Sequence, residues 1–423
     1  MFKRYEDIEY FLSSRRGLGI KPGLERMHVL LKEIGNPEKK LKAIHIAGTN
    51  GKGSTTFYIK QALRANGYHV GAFISPSFYG IRGHIMINEK PIEKDQFITI
   101  FNQIYPIVQR LDQQQMAPTE FEIITTIAFL YFYQYADISI IETGMGGRYD
   151  TTNCLLPIIS VITNVEKDHT AYLGTDISTI AHHKAGIIKN HIPVIVGSVN
   201  EQVWKTIQNE AIMHQSPTFR LGKDFNYKVL SHKNNKQYFL WEDRLKQIKV
   251  AIKMIGMHQV HNASLALMAL TILQKKGYKV EWNLGIKKLE TTIVPGRFEQ
   301  IHSHPTIILD AAHNVSGIRS FLSTVIKTNQ EGEKRLILAV FKDKEVHTML
   351  EECKTVFSNI IGTTFEHPRS FIWDDSYRDQ ITVCHNWKQL LSKIRQKRNP
   401  YTYYITGSLH FIVEVRRYLK SDF

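Results

Sequence analysis

A glycine-rich run, Ala47-Gly48-Thr49-Asn50-Gly51-Lys52-Gly53-Ser54, stands between an apolar stretch at 43–46 and an amphipathic stretch at 55–65. That order dictates a strand, a tight turn and a helix start. Glycines let the turn aim successive backbone N–H groups into one concavity, and the helix N-terminus adds partial positive charge there. Such a concavity suits phosphate. Thr49, Asn50, Gly51 and Gly53 form its rim, Lys52 reaches a β- or γ-phosphate, and Ser54 or Thr55 approaches a phosphate-bound magnesium. The spacing departs from the common phosphate-loop pattern, because Gly53 separates the lysine from the serine. A turn that only connects strand to helix would leave a lysine among three glycines unexplained.

The alternation continues through the first 200 residues. Strands are expected at 43–46, 70–74, 138–142, 158–163 and 194–196, and helices at 55–65, 96–111, 120–133 and 176–185. Short apolar strands separated by helices imply an α/β chain: a mostly parallel, doubly wound sheet carrying the phosphate loop. One or two antiparallel strands are expected within 228–240, and helices at 262–273 and 284–290. Pro295-Gly296 is a strong local breaker. Beyond it the pattern restarts, with strands at 306–309, 335–340, 359–363, 381–383 and 401–405, and helices at 315–326 and 409–419. At 423 residues the chain exceeds a single core. Two domains are expected, 1–296 and 297–423, the second a smaller Rossmann-like α/β unit without a phosphate loop of its own.

Composition narrows the partners. Apolar residues make up 43% and charged residues 22%, as in ordinary globular proteins. No apolar run is long enough to span a bilayer. Met1 to Tyr10 carries five charged side chains and no signal core, so a cytoplasmic location is expected. Cys154, Cys353 and Cys384 lie far apart, without metal-binding spacing, and are expected as reduced thiols. The net charge of +15 favours anionic partners such as nucleotides and polycarboxylates. Nucleic acid is not expected, since no arginine-rich arm or aromatic-basic interleaving is present.

Other strand ends deliver chemistry to the same edge. Glu142 closes an apolar strand and runs into Thr143-Gly144-Met145-Gly146-Gly147-Arg148, where a carboxylate can hold magnesium. The alternative is a solvated strand end. Asp168-His169 follows the 158–163 strand; His169 is either a ligand or a surface histidine beside a capping aspartate. Lys184 closes a helix, and its bland reading is a cation at a helix C-terminus. Ser75-Pro76 ends a strand and opens a loop with Arg82 and His84, either a substrate flap or a structural turn. His258, Gln259, His261 and Asn262 precede an apolar helix, as base contacts or as caps. Arg297 follows the breaker, Asp310 ends a strand before Ala311-Ala312-His313-Asn314, and Thr406-Gly407-Ser408 precedes the last helix. Asp310 can bind ribose hydroxyls or cap a helix.

In order, these motifs resemble the folylpolyglutamate synthase/dihydrofolate synthase family, within the Mur-type ATP-dependent amide ligases. The resemblance runs through nearly the whole chain. It implies ATP-dependent addition of L-glutamate to a folate carboxylate through an acyl phosphate, with Mg2+, in folate biosynthesis and one-carbon metabolism. It implies that Gly51, Lys52, Gly53 and Ser54 bind phosphate, and that Ser75, Glu142 and His169 are magnesium ligands. Lys184 matches the family's carbamylated lysine. Asn262, Arg297 and Asp310 match ATP contacts, with His313 in the same motif, and Ser408 resembles a residue on the glutamate side. The acceptor is then a reduced folate or dihydropteroate, and a monomer is expected.

The departures are local. Gly83-His84-Ile85 stands where the family has Glu-Arg-Ile, with Arg82 one place earlier. His183 replaces the glutamate before the modified lysine, and His410 replaces an aromatic. The ATP machinery is kept while the acceptor-side loop is altered. Dihydrofolate synthesis, alone or as a second activity, and a Mur-like ligase with another acceptor are the alternatives.

Overall fold

The fully buried run Ala43–Ala47 forms strand β1, in the interior of an eight-stranded sheet. The computed structural model describes residues 1–328, 332–396 and 401–421. The first sheet continues with β2 (Val70–Phe73), β3 (Ile85–Ile87), β4 (Lys90–Pro91), β5 (Ile138–Glu142), β6 (Ile159–Ile162), β7 (Val194–Val196) and β8 (Thr218–Arg220). Its spatial order is β4-β3-β2-β5-β1-β6-β7-β8. From β2 to β8 neighbours pair in parallel, while β3 and β4 add an antiparallel hairpin at one edge. Strands β1, β2, β5, β6 and β7 are buried at every position, as a parallel sheet covered on both faces requires.

Strand order positions the site. β1 lies between β5 and β6, with Ile46 opposite Glu142 and Ala47 opposite Ile162. All three run the same way, so the loops that leave them emerge side by side at the carboxyl edge, where open α/β sheets bind ligands.

The chain divides into two compact units. The first comprises 1–233, 238–252 and 260–292, and the second 234–237, 253–259 and 293–423. A three-stranded sheet of β9 (Phe225–Lys233), β10 (Lys236–Asp243) and β11 (Gln247–Ile252) has the order β11-β10-β9. The second unit's own sheet holds β12 (Glu299–Ser303), β13 (Thr306–Asp310), β14 (Lys334–Ala339), β15 (Asn359–Thr363), β16 (Thr382–Cys384) and β17 (Thr402–Gly407). Its order is β12-β13-β17-β14-β15-β16, parallel except for β12. Alternate residues feed two cores: Ile308, Leu336, Leu338 and Phe321 on one face, Ile307, Leu309, Ile337 and Phe411 on the other. Within this unit the Gln237 carboxamide donates to Met254 O at 2.7 Å and Gly256 O at 3.1 Å.

The architecture agrees with the expected α/β class, and several element bounds differ. The first helix after β1 starts at Lys52 rather than at Thr55, because Gly51 caps it at φ +84°. The helix expected from 262 starts at Met257, so His258, Gln259, His261 and Asn262 occupy its opening turns instead of a preceding loop. Elements without a counterpart in the sequence reading include the helices Tyr5–Ser14, Glu25–Glu33, Glu201–Met213, Val346–Lys354 and Trp387–Gln396. The β3–β4 hairpin, β8, β11 and β12 join them. Among the described residues no helix is long and apolar enough to cross a membrane.

Candidate active site

The phosphate loop is held from the neighbouring strand β6. Thr49 N donates to Asn164 O at 3.2 Å, and Asn50 N to the Asn164 carboxamide at 2.9 Å. The Thr49 hydroxyl donates to Glu166 O at 3.0 Å, and the Thr163 hydroxyl to Asn50 O at 2.6 Å. These bonds leave the loop little freedom to collapse when a ligand departs. A Cβ on Gly51 would run into the Asn262 carboxamide, so only glycine fits there, and Asn262 lies against the loop. Lys52 Nζ rests on Gly48 O at 3.0 Å and Thr49 O at 3.4 Å. Ser54 and Thr55 are buried in the first helical turn.

Glu142 is 4% exposed and its Oε1 stands 3.9 Å from Lys52 Nζ. This is the carboxyl-edge placement expected from the apolar strand before it, and it excludes the solvated strand end. Gly53 faces the same carboxylate, with Oε2 3.8 Å from where a Cβ would sit. The hydroxyls of Thr55 and Thr143 are buried and make no hydrogen bond in the structure. One carboxylate and unsatisfied hydroxyl oxygens form a donor set that suits a hard divalent cation such as magnesium. His169 is a weaker match, since it is a nitrogen donor, and its residue is exposed. It takes φ +51° at the start of the short helix Thr170–Leu173, with its N–H donating to Asp168 Oδ1 at 2.8 Å. Among the described residues no group of three or more His, Cys, Asp and Glu side chains is arranged to hold a metal.

Lys184 is not the solvated helix-end cation of the bland reading. It is 3% exposed in the last turn of the helix Ile177–Ala185. Burial, reinforced by the charge of Lys52, pushes its ammonium down to about 7, against the opposing pull of Asp168 and Asp150. The lid over this helix end is the glycine-rich tail of Glu142. Arg148 N donates to His183 O at 2.7 Å. A Cβ on Gly147 would stand 2.7 Å from His183 O and 3.0 Å from Lys184 O. Backbone carbonyls cannot step aside as a flexible side chain can. Gly147→Ala should therefore cost about 2 kcal/mol through overpacking, read as a lower urea midpoint at an unchanged slope.

Ser75 follows β2 and is half-buried, at a cis bond to Pro76. Arg82, expected on the substrate side, is engaged locally: its guanidinium donates to Ile92 O at 2.8 Å and lies 5.5 Å from the Tyr5 ring centre. His84 is likewise tied, with Nδ1 2.7 Å from Ile74 O, and burial lowers its pKa. The loop thus carries structural bonds at both residues.

In the second unit Arg297, Asp310 and His313 gather around Ala311. Arg297 Nη1 donates to Ala311 O at 3.2 Å, and His313 Nδ1 lies 3.0 Å from the same oxygen. Asp310 accepts from Phe298 N at 2.9 Å. Burial raises its carboxyl to about 6, restrained by the Arg297 charge, the N–H groups of Phe298 and Ala312, and His313. The helix cap belongs to Asn314, whose carboxamide accepts from Gly317 N, so the capping role considered for Asp310 falls away. Ser408 is 1% exposed and accepts from His410 N at 3.2 Å; it does not face solvent.

Thr163 is a site residue that the motif reading passed over. Its only signal is a hydroxyl at the end of an apolar strand, beside Asn164.

Comparison with known proteins follows the same geometry. The Mur ligase middle domain model matches residues 46–270, and the Mur ligase glutamate ligase domain model matches 296–409. The chain is 35% identical to the dihydrofolate synthase/folylpolyglutamate synthase of Bacillus subtilis, over 99% of this chain and all of that protein. It is 30% identical to the folylpolyglutamate synthase of Lacticaseibacillus casei, over 93% of this chain and 94% of that one. Among solved structures, Mycobacterium tuberculosis folylpolyglutamate synthase complexed with ADP superposes with a TM-score of 0.90 at 26% identity, over 98% of each chain.

Proposed function

Because this chain belongs to the Mur-ligase-fold folylpolyglutamate synthase/dihydrofolate synthase family, we propose that it joins L-glutamate to a folate carboxylate with ATP, as a folylpolyglutamate synthase. The observation that carries this reading is the juxtaposition of Lys52 with buried Glu142, beside an equally buried Lys184 that feels the Lys52 charge.

The chemistry runs in two displacements. A folate carboxylate oxygen attacks the γ-phosphorus of ATP, the bond to the bridging oxygen breaks, and ADP leaves an acyl phosphate. The glutamate amine then attacks the acyl carbon, inorganic phosphate departs, and the amine gives up its proton. No protein nucleophile is needed, so the residues act by position and charge. The N–H groups of 49–55 and the Lys52 ammonium hold the phosphates. Glu142, Ser54 and Ser75, with His169 from the next loop, would hold magnesium, which neutralises charge on the transferring phosphoryl group. Asn262, Arg297, Asp310 and His313 bind the nucleotide, Ser408 serves the incoming glutamate, and Arg82 the folate side. Lys184, as a carbamate formed with carbon dioxide, would present an anion where the amine presents a cation. We divide these roles between 1–296 and 297–423, in a cytoplasmic monomer.

A second reading is favoured by the Bacillus subtilis relative, whose name carries both activities: glutamylation of dihydropteroate by the same site. ADP release, with glutamate present, should be measured against dihydropteroate, tetrahydrofolate and its mono- and diglutamates. Glutamate-dependent ADP release with product mass rising by one glutamate per turnover is expected for the folates. No glutamate-dependent release with any acceptor would refute ligation, and a product with dihydropteroate alone would select the second reading.

A further inference from the structure

Glu210 is a buried carboxylate that the chemistry above leaves without a role. It is 4% exposed on the inner face of the helix Glu201–Met213, among Val203, Trp204, Ile207 and Ala211. A carboxylate in such surroundings stays charged only when paired. Arg148 Nη2 stands 2.6 Å from its Oε1, and His214 Nε2 3.5 Å from the same oxygen. His214 Nδ1 in turn donates to the Asn190 carboxamide oxygen.

Arg148 is built into the end of the helix that carries Lys184. Its N–H bonds to His183 O, and its own carbonyl accepts from Asn153 Nδ2 at 3.0 Å. The same Asn153 nitrogen donates to Gly186 O at 3.0 Å. Lys184 is therefore flanked on both sides by carbonyls tied to the 148–153 segment. Glu210 holds that segment through Arg148, and through His214 it reaches Asn190, four residues beyond Gly186. One carboxylate thus joins the end of the lysine's lid to the chain after its helix. It also acts electrostatically on Lys189, a half-buried lysine that Arg148 affects too.

We propose that Glu210 is a positioning residue for Lys184: it fixes Arg148, and with it the helix end, so that the lysine's carbamate forms and stays oriented. The proposal rests on the carbamate reading of Lys184. A buried ion pair adds little to stability over an apolar pair of the same size. Small displacements of a reacting group, by contrast, cost rate steeply.

The test is 13C NMR of the intact enzyme in labelled bicarbonate, with steady-state kinetics on the same samples. Wild type should show a carbamate resonance that is missing in Lys184→Ala. In Glu210→Gln that resonance should fall about tenfold and kcat about 10- to 100-fold, with KM for ATP within about twofold. Glu210→Asp, which keeps the charge, should recover part of both. A folded Glu210→Gln enzyme with full resonance and unchanged kcat overturns the proposal. If the glutamine variant does not fold, the aspartate variant decides, and wild-type resonance and kcat in it overturn the proposal. A wild type without a Lys184-dependent resonance refutes the carbamate instead, and positioning is then judged on kcat alone, with an unchanged kcat overturning it.

Discussion

Lys52→Ala should lower the rate of ligation about 1000-fold, which corresponds to about 4 kcal/mol of transition-state stabilisation. The lysine is the first residue of its helix and stands on two carbonyls of its own loop, so its ammonium is held where the phosphates would lie. Alanine removes the charge that faces Glu142, while the loop keeps its bonds from Asn164 and Thr163. The loss should fall on kcat. Lys52→Arg should rescue poorly, because a planar fork does not replace a point charge in a loop this close. Single-turnover formation of ADP is the measurement. Product formation by the alanine variant near the wild-type rate would end the assignment of this loop to catalysis.

Lys184→Ala should lose activity by about 100-fold or more while keeping most of its ATP binding. Only a free amine reacts with carbon dioxide. With the ammonium pushed to about 7, roughly half of Lys184 is neutral at pH 7, against about one part in three thousand for a lysine at the ordinary 10.5. Activity at limiting carbon dioxide should therefore fall as pH drops from about 8 to 6, and added carbon dioxide should restore it. Acetate should partly rescue Lys184→Ala by returning a carboxylate to the cavity. Full activity of that variant would refute the role. The linkage to stability has a definite sign. Between about pH 7 and 10.5 the unfolded chain holds a proton that folded Lys184 has lost. Its destabilising effect in the unmodified enzyme is thus complete below pH 7 and fades as pH rises.

The parallel strands and their ends were legible because each is a short apolar run closed by a polar residue. β5 ends at Glu142 on both readings, and the consequence for the site followed from parallel pairing alone. Helix starts were less legible. Gly53 counts against a helix in any propensity scale, yet it lies in the first turn of the helix Lys52–Ala65, whose start is set by Gly51 at φ +84°. The helices Tyr5–Ser14 and Glu25–Glu33 bury only Tyr5, Ile8 and Leu12 and Met27, Leu30 and Leu31, too few apolar positions to stand out from a charged stretch. Local pattern reads Lys184 as a cation at a helix C-terminus and misses its burial, because the segment packed on that helix end lies some 40 residues earlier. Arg82 illustrates the converse. Its chemistry suggests a ligand, and its position in the sequence does not show that one of its five N–H groups also bonds a backbone carbonyl ten residues on.

Residues 234–237 and 253–259 belong to the second unit although they lie far upstream of Pro295. Recombination between two such genes at the apparent linker would hand the recipient a second unit stripped of these pieces, including the Gln237 bonds to Met254 and Gly256. The inherited residues at those positions would have been shaped against a different partner surface. Viable chimeras should therefore carry three crossover segments rather than one. Under selection, the two upstream pieces should change in step with the sequence after residue 293, not with the phosphate-loop unit that surrounds them in the chain.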